Sequence, residues 1–158
     1  MRFPVFAAAL VLLLGGPALA QQYGEPTAAQ PKLPTQTITI QGHGGPVHTF
    51  TVELAVTPRQ QQIGEMFRTD IPQGQGMLFD WGAPEEKAMW MKNCPVPEDM
   101  VFIDSSGTIS SIAENTVPGS LAPVSSGGPA RGTLELRGGE TARLDIRVGD
   151  KVHGAFFK

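Results

Sequence analysis

The sequence predicts a single, mainly β domain, built as a compact small barrel or sandwich with one or two short helices. Apolar and polar residues alternate with a period of two in several short segments, which is typical of strands with one buried face. Turn-forming Gly, Pro, Asn and Asp residues separate these segments. Long helical segments between the strands are missing, which disfavours a parallel α/β fold.

The first twenty residues predict a secretory signal peptide. Arg2 provides a positive start, residues 5–14 are apolar throughout, and Ala18-Leu19-Ala20 matches a cleavage signal. The apolar run is shorter than the roughly 20 residues that a membrane-spanning helix needs. We therefore expect cleavage after Ala20, export to the periplasm or the medium, and no stable membrane span in the mature protein.

Composition limits the classes of partner and the chemistry of the single thiol. Residues 21–36 contain three prolines among Gln, Ala and Thr, which predicts a flexible linker before a domain at 37–158. The formal net charge of −3, without a basic cluster, argues against a nucleic-acid partner. Cys94 is the only cysteine, so it is expected either to be buried and inert or to link two chains into a dimer.

The first elements follow from local patterns. Ile38 and Ile40 alternate with threonine, and a second alternation runs through residues 50–56, so both segments predict strands. Thr57 and the glutamine three residues later have the spacing of a capping box, and Pro58 suits the first helical position, so a short helix should begin there. The remaining predicted elements are strands at 77–79, 87–92, 100–103, 108–112 and 133–136, a loop at 118–129, a helical turn at 140–144 and a closing strand that ends at Phe157.

Seven blocks of sequence occur together and in order along the chain. They are FTVELAVTP from Phe50, GEMFR from Gly64, GMLF from Gly76, WMKN from Trp90, PEDMVFID from Pro97, LEL from Leu134 and GDKV from Gly149. With these blocks, the chain resembles the DUF192 family, also called UPF0127, over about residues 50–152. The resemblance implies a compact, mainly β domain that is often exported, and it implies no activity. The chain departs from the family pattern at Cys94, where threonine is typical, and at Glu98, where leucine is typical.

The predicted binding site lies on the loop that follows Trp90. Two prolines restrict its backbone, and a stiff loop is suited to present polar side chains. Arg68 and Lys92 would bind an anionic or hydroxylated ligand, and Trp90 would offer a stacking face. The alternative is structural, with Asn93 bonded to its own loop and Asp99 paired with Lys92 or Arg68. The predicted ligand-binding residues are Arg68, Trp90, Lys92, Asn93 and Asp99.

The sequence thus favours an exported, non-catalytic binding module for a small polar ligand, glycan or peptide. A phosphate-binding loop, a CxxC pair and the common hydrolase motifs are missing from the sequence, so we predict no catalytic residue and no cofactor. One alternative is a hydrolase of an extracellular polymer that uses paired carboxylates. Its candidate acids are Asp99, Asp104, Glu114 and Glu135.

A second alternative is a periplasmic Cu(I)-binding protein, because thioether and thiolate ligands select this ion. The candidate ligands are Met89, Met91 and Cys94, with His48 or His153. The histidines show no ligand spacing, and methionines in an apolar strand usually fill gaps in the core. The sequence therefore predicts no metal site.

Overall fold

The structure, a computed structural model, describes residues 23–42 and 44–157, so the predicted signal peptide lies outside it. Seven strands form one sheet: β1 (Thr35–Gln41), β2 (Val47–Ala55), β3 (Gln75–Met89), β4 (Glu98–Ile103), β5 (Ile109–Ala113), β6 (Val124–Arg137) and β7 (Lys151–Gly154). Two short helices accompany them in the described residues, α1 (Pro58–Ile63) and α2 (Glu140–Leu144). The predicted mainly β fold is confirmed. Neither helix has the length and apolar character that crossing a bilayer requires.

The sheet has the strand order β5-β4-β6-β3-β2-β1-β7. Its pairs are antiparallel except β2 and β3, which are parallel and are connected through α1. The two ends of the sheet meet, because Ile109 N donates to Asp150 O at 2.9 Å and Val152 N donates to Gly107 O at 2.8 Å. The sheet therefore curls into a partly closed barrel.

Several predicted segments differ from the structure. Residues 77–79 and 87–89 belong to one strand, β3, whose pairing with β6 is irregular between Asp80 and Ala88. The predicted strand at 87–92 is wrong after Met89, where β3 ends. The predicted loop at 118–129 is wrong from Val124 onward, because β6 begins there and pairs with the far end of β3. The closing strand ends at Gly154, before the predicted Phe157. Cross-strand hydrogen bonds hold these Gly- and Ser-rich residues extended despite their turn propensity.

The segment before β1 packs against the domain. Pro26 is buried, and Gln30 Nε2 donates to Gln60 O at 3.1 Å and to Gly64 O at 2.9 Å. Leu33 N donates to a carboxylate of β2 at 2.7 Å. This part of the predicted linker therefore has defined contacts with α1 and β2.

Both faces of the sheet carry buried side chains, and the outer face holds the candidate site. The inner-face core includes Val52, Leu78, Leu134 and Leu136. The outer face carries smaller apolar clusters around Phe79 and Met100, and Ile63 of α1 packs into the second. Since side chains alternate between faces along a strand, Glu135 points to the outer face, opposite its leucine neighbours.

Candidate functional site

A cleft of about 360 Å³ lies on the outer face of the sheet, between α1 and β3. Its wall is formed largely by aromatic and methionine side chains, and several of its polar groups are acidic. The wall includes Met66, Phe79, Trp81, Met89 and Trp90, and the polar groups include Glu65, Cys94 and Glu135. An apolar cleft with a few convergent polar groups is the usual form of a small-molecule site.

The capping box predicted at the start of α1 is present and places the first wall of the cleft. Thr57 Oγ1 accepts from Gln60 N at 3.3 Å, while Gln60 Oε1 accepts from Thr57 N at 2.9 Å. The helix ends at Gly64, whose φ of +50° turns the chain back toward the sheet. The turn buries Glu65, which is only 3% exposed.

Three buried carboxyl groups meet at this face. Glu65 follows α1, Glu98 begins β4 and is 0% exposed, and Glu135 lies in β6 and is 3% exposed. Met100 of β4 pairs with Glu135 in the sheet, so Glu98, two residues earlier, faces the same side. Strand alternation and the turn after α1 thus bring together three carboxyl groups that lie far apart in sequence.

Among the described residues, Arg68 is a cation in contact with Glu65 of this group, and its guanidinium is fully engaged. Its Nη1 and Nη2 donate to the two carboxylate oxygens of Glu53 at 2.6 and 2.9 Å, and its Nε lies 3.0 Å from Glu65 Oε2. Burial by itself would raise the pKa of Glu53, but the hydrogen bonds from Arg68 and the Leu33 amide outweigh it and lower this pKa. Glu53 and Arg68 therefore form a bidentate ion pair.

The three remaining carboxyl groups have raised pKa values. Burial raises the pKa of Glu65 to about 7 and that of Glu98 to about 8, and it holds the pKa of Glu135 well above its ordinary value. Negative charge on Glu53 raises the pKa of Glu65, and negative charge on Glu65 raises the pKa of Glu98 and of Glu135. Within the described residues, both oxygens of Glu98 and the Oε2 atoms of Glu65 and Glu135 are buried without a well-formed hydrogen bond.

Cys94 lines the cleft beside these carboxyl groups and is 5% exposed. Burial raises the pKa of its thiol, and the charges of Glu98 and Glu135 raise it further. A thiol with a raised pKa is a weak nucleophile, because the thiolate is the reactive form. A disulfide between two chains would require this loop to open.

Of the five predicted ligand-binding residues, the cleft is lined by Trp90, which is 46% exposed. Lys92 pairs with Glu25 at 2.7 Å, and its Nζ lies 5.1 Å from the centroid of the Trp90 ring. Asn93 has a φ of +59°, its carbonyl accepts from Phe67 N at 2.8 Å, and its amide reaches a methionine sulfur. Arg68, as described above, is engaged with two glutamates.

Asp99 is 0% exposed and accepts hydrogen bonds from four donors. The donors are Asn115 N (2.8 Å), Gly139 N (2.8 Å), Thr141 N (2.9 Å) and Thr141 Oγ1 (2.7 Å). The carboxylate therefore holds the start of α2 against β4. In this position it is engaged with neighbouring main chain and does not line the cleft.

The other predicted catalytic acids lie apart. Asp104 accepts from Ser106 and Thr108 within its own turn, and Glu114 is exposed, 3.4 Å from Thr141 Oγ1. Glu135 is the candidate acid in the cleft. Glu65 and Glu98 are buried acids that the sequence analysis did not name as candidate catalytic acids. Their burial could have been suspected, because Glu65 follows the predicted helix and Glu98 lies just before a predicted buried strand.

The predicted copper ligands are also divided between places. Met89 and Cys94 line the cleft, whereas Met91 is buried next to Thr116 Oγ1, 3.0 Å from its sulfur. His48 lines a separate surface hollow, and His153 belongs to β7. In residues 23–42 and 44–157, three or more His, Cys, Asp or Glu side chains are nowhere arranged to hold a metal ion.

Comparisons with known proteins place the chain by sequence and by fold. The model of the DUF192 family, described as an uncharacterized ACR, matches residues 38–154. A solved structure from Sinorhizobium meliloti 1021, provisionally named a transcription regulator, has a TM-score of 0.78 and 40% identity, covering 82% of this chain and 100% of that chain. A protein of unknown function from Novosphingobium aromaticivorans DSM 12444 has a TM-score of 0.76 and 35% identity, covering 89% of this chain and 100% of that one. Among curated proteins, none matches this chain.

Proposed function

This chain belongs to the DUF192 family, whose activity is uncharacterized, and from its cleft we propose that it is a non-catalytic binding module for a small polar ligand, glycan or peptide. The ligand would occupy the space between α1 and β3. We also propose that the protein is exported to the periplasm or the medium, on the basis of the signal-like residues 1–20.

One observation carries the binding proposal. Glu135 lines the apolar cleft and is only 3% exposed. Its Oε2 has no well-formed hydrogen bond within the described residues. A buried polar atom without a partner costs about 1–3 kcal/mol, which a ligand that supplies the partner would recover. Trp90, exposed at the rim, offers the ligand an apolar surface.

The proposal is tested by measuring the melting temperature with a panel of sugars, short peptides, carboxylates and amines. We expect at least one class to raise it, and we expect Trp90→Ala to lose that increase while remaining folded. Val148→Ala, which removes another exposed apolar side chain away from the cleft, should keep it. A panel without any stabilising compound would overturn the proposal.

A hydrolase with paired acids is a second candidate, because Glu65 and Glu135 line one cleft and both have raised pKa values. A two-acid mechanism also needs an ionised partner for its protonated acid, and the ionised Glu53 is held by Arg68. This arrangement favours binding over hydrolysis. Release of reducing ends from a cell-wall polysaccharide, abolished by Glu65→Gln, would instead support the hydrolase.

Binding of Cu(I) is a third candidate, because the cleft adds Met66 to the sulfur ligands Met89 and Cys94. The distant positions of both candidate histidines weigh against it. Titration of the intact and Cys94→Ser proteins with Cu(I), against a competing chelator, tests this role. Binding tighter than the chelator that disappears in Cys94→Ser would support it.

A further inference from the structure

The cleft carries an excess of acidic groups over basic ones. The Glu65 and Glu135 carboxyl groups line it, and negative charge on Glu53 and Glu98 acts on them. Arg68 contacts Glu53 and Glu65. All three kinds of nitrogen on Arg68 already face carboxylate oxygens at 2.6 to 3.0 Å. Within the described residues, an anionic ligand would thus meet carboxyl groups whose contacting guanidinium is already engaged.

One unpartnered atom belongs to a side chain that lines the cleft. Glu135 Oε2 has no well-formed hydrogen bond in the described part of the chain, and Gly64 lies beside it. A Cβ atom at Gly64 would lie 3.8 Å from this oxygen and 3.0 Å from Phe79 Cζ. Glycine at position 64 therefore lets the Phe79 ring pack beside the Glu135 carboxyl group, and it places no side chain of its own between them.

The aromatic wall already attracts ammonium groups of the chain itself. Lys87 Nζ lies 4.9 Å from the centroid of the Trp81 ring, and Lys92 Nζ lies 5.1 Å from that of Trp90. Such contacts arise because the face of an indole ring is electrostatically negative. The cleft therefore combines an acidic floor with a wall that favours cations.

We infer that the ligand is an organic ammonium ion, with its nitrogen between the carboxyl groups of Glu65 and Glu135 and its apolar body against Trp90 and Met89. This inference rests on the proposed binding function and specifies the class of ligand. An ammonium group can donate three hydrogen bonds, which suits buried carboxyl oxygens that lack donors. Charge-assisted bonds of this kind are stronger than those between neutral groups.

A bound ammonium ion would also displace protons. Opposite charge favours the ionised form of a carboxyl group, whereas burial raises the pKa of the Glu65 and Glu135 carboxyl groups that line the cleft. The titratable and charged groups that face Glu65 and Glu135 are Glu53, Arg68, Cys94 and Glu98, with Lys87 and Lys92 near the rim. Affinity for an amine should therefore increase as the pH rises.

The experiment compares benzylamine with benzyl alcohol, its neutral analogue, by calorimetry of the full chain. Release of one proton with a pKa near that of Glu65, about 7, predicts roughly tenfold tighter binding of benzylamine at about pH 8 than at about pH 6. Benzyl alcohol should bind more weakly and without this pH dependence. Titrations in two buffers of different ionisation enthalpy should show the released proton directly.

Two variants with the same change in charge locate the effect. Glu135→Gln should weaken benzylamine binding roughly tenfold or more, whereas Glu86→Gln, on an exposed part of β3, should leave it unchanged. Nα-acetyl-lysinamide distinguishes the source of the ammonium group: tighter binding of this probe indicates a lysine side chain, and tighter binding of benzylamine indicates a free amine.

Other results overturn the inference. Equal affinity for benzyl alcohol, or benzylamine binding that does not change with pH or with Glu135→Gln, would exclude an ammonium ligand at this site. If a sugar or another neutral compound still raised the melting temperature, the binding function would stand and only the ligand class would be wrong. If no compound of either panel bound, both proposals would fail.

Discussion

Glu98 begins β4 with both carboxyl oxygens buried, and such burial disfavours its ionised form. Burial raises its pKa from an ordinary 4.5 to about 8. The folded protein therefore keeps this proton at pH values at which the unfolded chain has released it. It follows that the free energy of unfolding falls as the pH rises from about 4.5 to about 8, and that the fall ends above the folded-state pKa. Glu65 should contribute in the same direction up to about pH 7.

Replacing Glu98 by glutamine removes one of these titrations. We expect Glu98→Gln to reduce the fall in unfolding free energy between about pH 5 and about pH 8 by on the order of 3 kcal/mol, since one pKa unit corresponds to about 1.4 kcal/mol. Urea unfolding at both pH values measures it. Glu86→Gln, an exposed carboxylate in β3, is the control that should keep the full pH dependence. An unchanged dependence in Glu98→Gln would contradict the assignment.

Element α2 illustrates how a short helix depends on the rest of the fold. Its five residues are too few for an isolated helix, and Gly139 at its N-cap offers no side chain. Asp99 of β4 supplies the missing acceptor for Gly139 N and Thr141 N. The carboxylate thus acts as a capping group from another element.

Asp99→Ala should consequently release α2 from the sheet. Several buried donors would lose their acceptor together, so we expect a loss of about 3 kcal/mol or more in the free energy of unfolding. Amide hydrogen exchange should accelerate in residues 141–144. Glu114→Ala, which removes an exposed carboxyl near the same Thr141, should cost less than about 1 kcal/mol. Equal losses in the two variants would contradict the capping role.

At the scale of the whole molecule, contacts between β7 and the turn before β5 bring the two ends of the sheet together. Gly107 has a backbone φ of +78°. Its carbonyl accepts a hydrogen bond from Val152 N at 2.8 Å. A Cβ atom at Gly107 would lie 2.6 Å from Val152 O. The approach of the two sheet ends therefore requires glycine at this position.

Two glycine substitutions separate this close approach from backbone strain. Gly119 has a similar φ of +72°, but a Cβ atom there would meet nothing within 4 Å. Gly119→Ala should therefore cost only the strain of a left-handed residue, about 1–2 kcal/mol. Gly107→Ala adds a backbone clash and should lower the melting temperature considerably more. Similar melting temperatures for the two variants would show that the contact between the sheet ends contributes little.

Much of the local structure could be predicted because it depends on neighbouring residues. Thr57, Pro58 and Gln60 define the start of α1 within four positions, and the alternation around Phe50 defines β2. The sequence could not predict the irregular extension of β3 or the start of β6 at Val124. Each of these strands depends on hydrogen bonds to the other. Local composition indicated a loop there, and pairing across the sheet produced a strand.

The candidate site divides in the same way. The sequence by itself determined the mainly β class, the capped helix and the choice of Trp90 as a candidate binding residue. Alternation, capping and aromatic character are all visible in adjacent residues. Only the tertiary structure decided that Arg68 and Asp99 are engaged internally and that Glu65, Glu98 and Glu135 meet. In sequence, a glutamate between two leucines is typical of a solvated strand face. Glu135 is a buried acid only because α1 and the turn that follows it cover that face of the sheet. Contacts between such distant segments are not visible in any local sequence pattern.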